Sequence, residues 1–173
     1  MDTNFELPER IRRSVSALKD AVNRFEKCRT SQMPADSFAV LAETLDWITK
    51  LDNDLYKLCG QAYRSKRDKH QFGKAVVGHR LARDLDQHNA RTVDLVNVTR
   101  GVQFPVRPPI CPWELKWKVR TDLPDPDEHD ANYISAYDHY VAARLVRVTF
   151  SEMLEFFSEV IENTEGWLSS KGT

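Results

Sequence analysis

A chain of 173 residues, 41% apolar and 29% charged, has the composition of a soluble globular protein and is long enough to bury a core as one domain. No apolar run nears the roughly 20 residues of a membrane helix, and the start, "MDTNFELPERIRR", lacks the apolar stretch of a secretion signal. The net charge of −1 conceals an asymmetry: Arg64 to Arg91 holds eight Lys/Arg against three Asp/Glu, a net +5, whereas Asp122 to Glu165 holds eleven acids against two arginines, a net −9.

The first predicted element follows Pro8, which suits a first helical turn because its missing N–H costs nothing there. Leu7, Ile11, Val15, Leu18, Val22 and Phe25 recur at steps of three and four, one stripe of a helix. A second helix starts near Pro34 or Asp36, carries Phe38, Leu41, Leu45, Ile48, Leu55 and Leu58, and stops at Gly60. A third is expected from about Lys66 to Val98. Gly73 and Gly78 interrupt it, and each is worth roughly 1 kcal/mol less than alanine in a helix, so close approach of another element or a local bend is expected there. From Thr99 to Tyr133 helical periodicity disappears, and six of the eight prolines cluster. Within this stretch "ELKWKVRT" alternates Leu115, Trp117 and Val119 with Lys116, Lys118 and Arg120, the period of a half-buried strand. A final helix from about Ser135 to Trp167 carries Val146, Phe150, Met153, Leu154, Phe157 and Val160. The expected architecture is all-α. It is a single domain over residues 1–173, with four main helices in a bundle and a long Pro-rich arm at about 99–133 before the last helix.

Chemistry concentrates in "ARDLDQHNA" at 82–90, inside the basic region. Residues four apart share a helix face, so Asp84 is expected to face both Arg80 and His88, and His79 to face Arg83. Arg83 and His88 are five apart, roughly 140° around an ideal helix. A shared substrate atom therefore requires that the helix bend or end here, or that a second copy of the chain complete the site. A guanidinium grips phosphate with directed hydrogen bonds. An imidazole, its tautomer set by a carboxylate such as Asp84, moves a proton near neutrality. Together they suit metal-free RNA cleavage, in which the base takes the 2′-OH proton and the oxygen attacks the adjacent phosphorus to leave a cyclic phosphate. The same cluster also reads as ordinary surface ion pairs, each worth a few tenths of a kcal/mol.

The stretch "GHRLARDLDQHN" resembles the signature of HEPN-type helical domains: an arginine, then a polar residue, then a histidine after four to six intervening positions. Arg83, Asp84 and His88 match these positions. The arrangement of two amphipathic helices before the motif and a Pro-rich excursion and last helix after it is also similar. The resemblance implies a dimerising bundle whose two motifs meet in an RNA-cutting cleft, in the setting of toxin–antitoxin or anti-phage systems. Asparagine is frequent after the arginine in that family, where this chain has Asp84. Other members are non-catalytic binding modules, antitoxins or scaffolds.

The remaining signals are weaker. "DPDEHD" at 125–130 lacks the spaced ligands and turn glycine of a calcium loop. Cys28, Cys59 and Cys111 are odd in number and widely spaced, which disfavours disulfides or zinc and fits a reducing cytoplasm. No metal or cofactor is expected. Trp113 and Trp117 with Lys116, Lys118 and Arg120 read either as a grip on single-stranded nucleic acid or as apolar anchors of the arm with its basic residues in water. The leading expectation is a cytoplasmic, homodimeric, metal-independent endoribonuclease. In it Arg83 stabilises the phosphate, His88 moves the proton, Asp84 orients His88 and Arg80 is a lesser phosphate contact. The alternative is a non-catalytic regulatory module whose acidic segment docks on a protein partner.

Overall fold

The computed structural model describes residues 8–30, 34–88, 91–97, 113–124 and 131–163. The chain is predominantly helical, with α1 (Glu9–Thr30), α2 (Pro34–Cys59), α3 (Gln61–Arg67), α4 (Gln71–Gln87), α5 (Ala131–Tyr140) and α6 (Val146–Glu162). One antiparallel pair of strands, β1 (Val93–Asn97) and β2 (Trp113–Trp117), stands beside them, aligned with Val93 opposite Trp117 and Asn97 opposite Trp113. Among the described residues no helix is long and apolar enough to cross a membrane.

The apolar stripes form one core. Ile11, Leu18 and Phe25 of α1, Leu41, Leu45, Ile48 and Leu55 of α2, and Phe150, Met153 and Phe157 of α6 are all buried. Phe25 meets Phe150 edge-on at 5.3 Å, joining the first helix to the last. α2 begins and ends where the sequence predicts, and Gly60 leaves it at φ 64°, a left-handed conformation natural to glycine. Helix α4 lies at the centre, packed on α2, α3, α5 and α6. Gly78 permits this: a Cβ there would lie 2.9 Å from the Ala136 carbonyl oxygen and from Tyr137 Cα on α5. The expected close approach at a glycine is therefore present.

Two predicted helices are broken in the structure. The expected helix over 66–98 is divided into α3 and α4, and its last part is strand β1. The new start at α4 has a local cause: the His70 ring accepts hydrogen bonds from the backbone N–H of Phe72 and Gly73, at 3.2 and 3.3 Å. Beyond His88 the β-branched Thr92, Val93 and Val96 favour a pleated surface, and β2 supplies the partner. The expected helix over 135–167 is interrupted between Tyr140 and Val146. Here β2 competes for the backbone. Trp117 N–H donates to the Arg144 carbonyl at 2.9 Å, and Ala143 N–H donates to the Trp117 carbonyl at 3.1 Å. These two bonds hold Ala143 at φ 61°, a conformation unfavourable for a non-glycine residue by about 1–3 kcal/mol.

The alternation predicted for "ELKWKVRT" is present in part: Leu115 and Trp117 are buried, whereas Val119 is exposed and Glu114 is buried. Trp117 is an anchor. Its indole N–H donates to Thr149 Oγ1 at 2.9 Å, and its ring stands edge-on to His79 at 5.3 Å. Most prolines of the expected arm, and all of "DPDEHD", lie outside the described residues.

Candidate functional site

Helix α4 presents four polar side chains of interest, His79, Arg80, Arg83 and Asp84, and places His88 at its C-cap. His79 points inward and is fully buried, so it does not face Arg83 as the i, i+4 spacing suggested. Its Nδ1 lies 2.7 Å from the Ala75 carbonyl and its Nε2 lies 3.2 Å from Thr149 Oγ1. The carbonyl only accepts, so Nδ1 carries the proton; the Thr149 hydroxyl, which receives the Trp117 N–H, has one proton that the Val146 carbonyl at 3.0 Å and His79 Nε2 share as acceptors. Burial pushes this imidazole down to about 4; the bond to Ala75 opposes that shift and nearby Arg144 adds to it. His79 thus joins α4, β2 and α6 as a neutral group.

Arg80 reaches α2 and does not use Asp84 as its partner. Its guanidinium bonds Asp52 through Nε at 3.1 Å and through Nη2, which also donates to Asn53 Oδ1 at 2.6 Å. Asp52 is completely buried and holds two further donors, Arg67 Nη1 at 2.9 and 3.0 Å and the Tyr63 hydroxyl at 2.7 Å. Burial and the adjacent Asp52 charge push the Tyr63 phenol well above its usual range, so it stays a donor. The guanidiniums of Arg67 and Arg80 are disfavoured by burial, but Asp52 outweighs that and holds both above their usual value. This carboxylate with two arginines is the most buried charged group on the α2–α4 interface. The sequence reading missed it, although a signal existed: Asp52 falls four after Ile48 and three before Leu55, on the apolar stripe of α2.

Arg83 has a more open setting. Its Nε donates to Asp46 of α2 at 2.8 Å, and its Nη1 lies 3.5 Å from Asp84; the side chain keeps 29% of its surface exposed. It lines a cleft of about 550 Å³ between α1, α2 and α4 together with Arg10, Lys50 and Lys57, against the carboxylates Asp46 and Asp54. Asp54 is already engaged by Arg10 at 3.2 Å and by Lys50 at 3.1 Å. The cleft is therefore net cationic and suited to an anion. His88 does not line it. Helix α4 continues through Gln87, and His88 caps it, exposed, its own N–H bonded to the carbonyls of Asp84 and Leu85. The helix thus ends at His88, one of the alternatives the spacing left open.

The basic residues of the arm do not converge on this cleft's lining. Lys116 is half-buried on β2, bridged to Leu145. Lys118 lies 3.9 Å from Asp94 on β1, and Arg120 begins a short 3₁₀ turn. Trp113 is 41% exposed, whereas Trp117 is core. Among the described residues no group of three His, Cys, Asp or Glu side chains is arranged to hold a metal ion. Tyr137 is buried, its hydroxyl donating to the Lys118 carbonyl at 2.8 Å. Compared with protein families, with curated proteins and with solved structures, the chain matches none.

Proposed function

We propose that the chain is a HEPN-like domain and a metal-independent endoribonuclease that works as a cytoplasmic homodimer, in a toxin–antitoxin or anti-phage setting. In this reading α1, α2, α4 and α6 are the four main helices of the bundle and the Pro-rich stretch is its arm. The observation that carries the proposal is the pairing on α4 of a half-exposed Arg83 in a cationic cleft with an exposed His88 at the helix end. Because α4 is continuous to Gln87, the two side chains of one copy point roughly 140° apart. The reactive pair is then Arg83 of one copy and His88 of the other. His88 takes the 2′-OH proton, the freed oxygen attacks the neighbouring phosphorus, and Arg83 stabilises the added charge until the 5′-oxygen leaves and a cyclic phosphate remains. Asp84 orients His88, while Arg80, Lys116, Lys118 and Arg120 are lesser contacts to the strand.

The test is cleavage of a mixed RNA pool by the purified chain, by Arg83→Ala, by His88→Ala, and by the two variants mixed after unfolding and refolding together. Each variant alone loses at least about a hundredfold in rate. The mixture recovers part of it, since a mixed dimer restores one complete pair. Cleavage that survives in both single variants overturns the assignment.

A second reading has its own support. Asp46 and Asp84 flank the Arg83 guanidinium as in an ordinary surface ion pair. A non-catalytic HEPN-like module, an antitoxin or scaffold, would use the acidic 122–165 segment to dock on a basic protein. Capture of a basic partner that is lost when segment acids are neutralised, with no RNA cleavage, favours it.

A further inference from the structure

A second cleft, of about 490 Å³, lies between α3, α4 and α5, and Arg83 has no part in it. Its lining includes Arg64, Arg67, Lys74 and Arg80, with Tyr133 and Tyr140 on the α5 side and, among the described residues, Asp68 as the one carboxylate. Behind the arginines stands the fully buried Asp52. Asp52 and Asp68 together neutralise two of the four cations, so among the described residues the cleft keeps two positive charges. Those belong to Arg64 and Lys74, for which no carboxylate among the described residues serves as partner; Arg64 stacks 3.8 Å from the Tyr56 ring centre and Lys74 stands 5.6 Å over Tyr140. Arg80 is fixed from behind through Nε and Nη2 by Asp52 and Asn53, which leaves the two N–H groups of Nη1 without a described acceptor. A guanidinium held in this way offers its free edge with little rotamer entropy left to lose.

We infer that this cleft binds a phosphate monoester, its phosphoryl group on Arg64, Lys74 and the free edge of Arg80 and its organic part against Tyr133 and Tyr140. The charge fits: a monoester carries about −1.5 to −2 at neutral pH, and two uncompensated cations match a dianion where a carboxylate would leave one over. The volume fits also, since small-ligand sites occupy roughly 300–1,000 Å³, more than a bare phosphate fills. The ligand chemistry has two sources, a free small molecule or the phosphorylated end of a nucleic-acid strand. The site stands whether or not Arg83 and His88 cleave RNA.

Isothermal titration of the full chain with phenyl phosphate tests it, with inorganic phosphate and phenol as comparators. Phenyl phosphate binds more tightly than either, and Lys74→Ala and Arg64→Ala each weaken it by about tenfold or more, the effect of one charge-assisted hydrogen bond. Both variants leave the buried Asp52 network intact, which an unchanged thermal midpoint verifies. Arg83→Ala leaves the affinity unchanged, which separates this site from the proposed nuclease. Displacement of phenyl phosphate by a 5′-phosphorylated oligonucleotide but not its 5′-hydroxyl form assigns the strand end as the source. Displacement by neither assigns a free small molecule. Equal displacement by both oligonucleotides means a surface that reads backbone phosphates, and overturns the inference. So does the absence of binding, or an affinity that both cleft variants leave unchanged.

Discussion

Arg80 and Arg83 are one turn apart on the same helix and both reach across to an aspartate of α2, yet their surroundings are opposite. Arg80 keeps 16% of its side chain exposed and bonds an Asp52 that has none, whereas Arg83 keeps 29% and bonds an Asp46 that is 56% exposed. The first pair is largely withdrawn from water and must stay complete, because the buried Asp52 has no solvent to replace a lost partner. The second trades hydrogen bonds with water at little cost. One arginine is therefore held in place by the fold through Nε and Nη2, with only Nη1 left over, whereas the other can exchange its partner for water or a ligand. Asp52→Asn breaks the comparison most severely. It leaves Arg67 and Arg80 buried without their counter-ion, and urea unfolding is expected to show a loss of about 3–5 kcal/mol. A loss under 1 kcal/mol would mean that water reaches the pair and that the distinction is unsound.

His79, beside Arg80, extends the buried side of the comparison to a group that can change its charge. Its folded value of about 4 lies below the ordinary 6.5, so between those values the unfolded chain binds a proton that the folded chain refuses. Its contribution is complete above pH 6.5, falls as the pH drops through that window, and levels off below 4, a total of about 3 kcal/mol. Urea midpoints at pH 7 and pH 4.5, compared between the wild type and His79→Gln, isolate it from the carboxylates. The variant loses the histidine's share of the slope. The helix's fit to its neighbour is sharpened by Gly78→Ala. Alanine gains about 1 kcal/mol as a helix former, but its methyl would meet Val141 Cγ2 at 2.8 Å and two backbone atoms of α5 at 2.9 Å. Overpacking costs about 1–3 kcal/mol, so the thermal midpoint should fall.

What the sequence made legible follows from range. Helical stripes are local: residues three and four apart meet whatever the rest of the chain does, and most of the predicted stripe residues of α1, α2 and α6 are buried, with Val15, Phe38, Leu58 and Leu154 only partly so. The break between α5 and α6 is not local, because β2, far away in the chain, supplies the carbonyl and N–H that turn Ala143 and Arg144 out of the helix. Strand β1 was hidden for the same reason, since Val93 and Val96 also fit an apolar stripe until β2 is known to lie beside them. At the candidate site, sequence spacing singled out Arg83 and His88, five apart, but set Asp84 facing Arg80. The actual partner, Asp52, comes from another helix and was legible only as an acid out of place on an apolar stripe.

The smallest expected effect on stability bears most on function. Arg83→Ala removes a partly exposed ion pair with Asp46, and double-mutant cycles with Asp46→Ala should give a coupling of about 0–1 kcal/mol. The same substitution is expected to abolish RNA cleavage if Arg83 is the phosphate ligand, so stability and activity separate at this residue as they cannot at Arg80. A coupling above about 2 kcal/mol would place Arg83 with Arg80 as a structural cation. A folded Arg83→Ala variant with full activity would instead leave the cationic cleft without a catalytic role. Only a small coupling together with lost cleavage is consistent with an arginine that the fold leaves accessible because the reaction requires it.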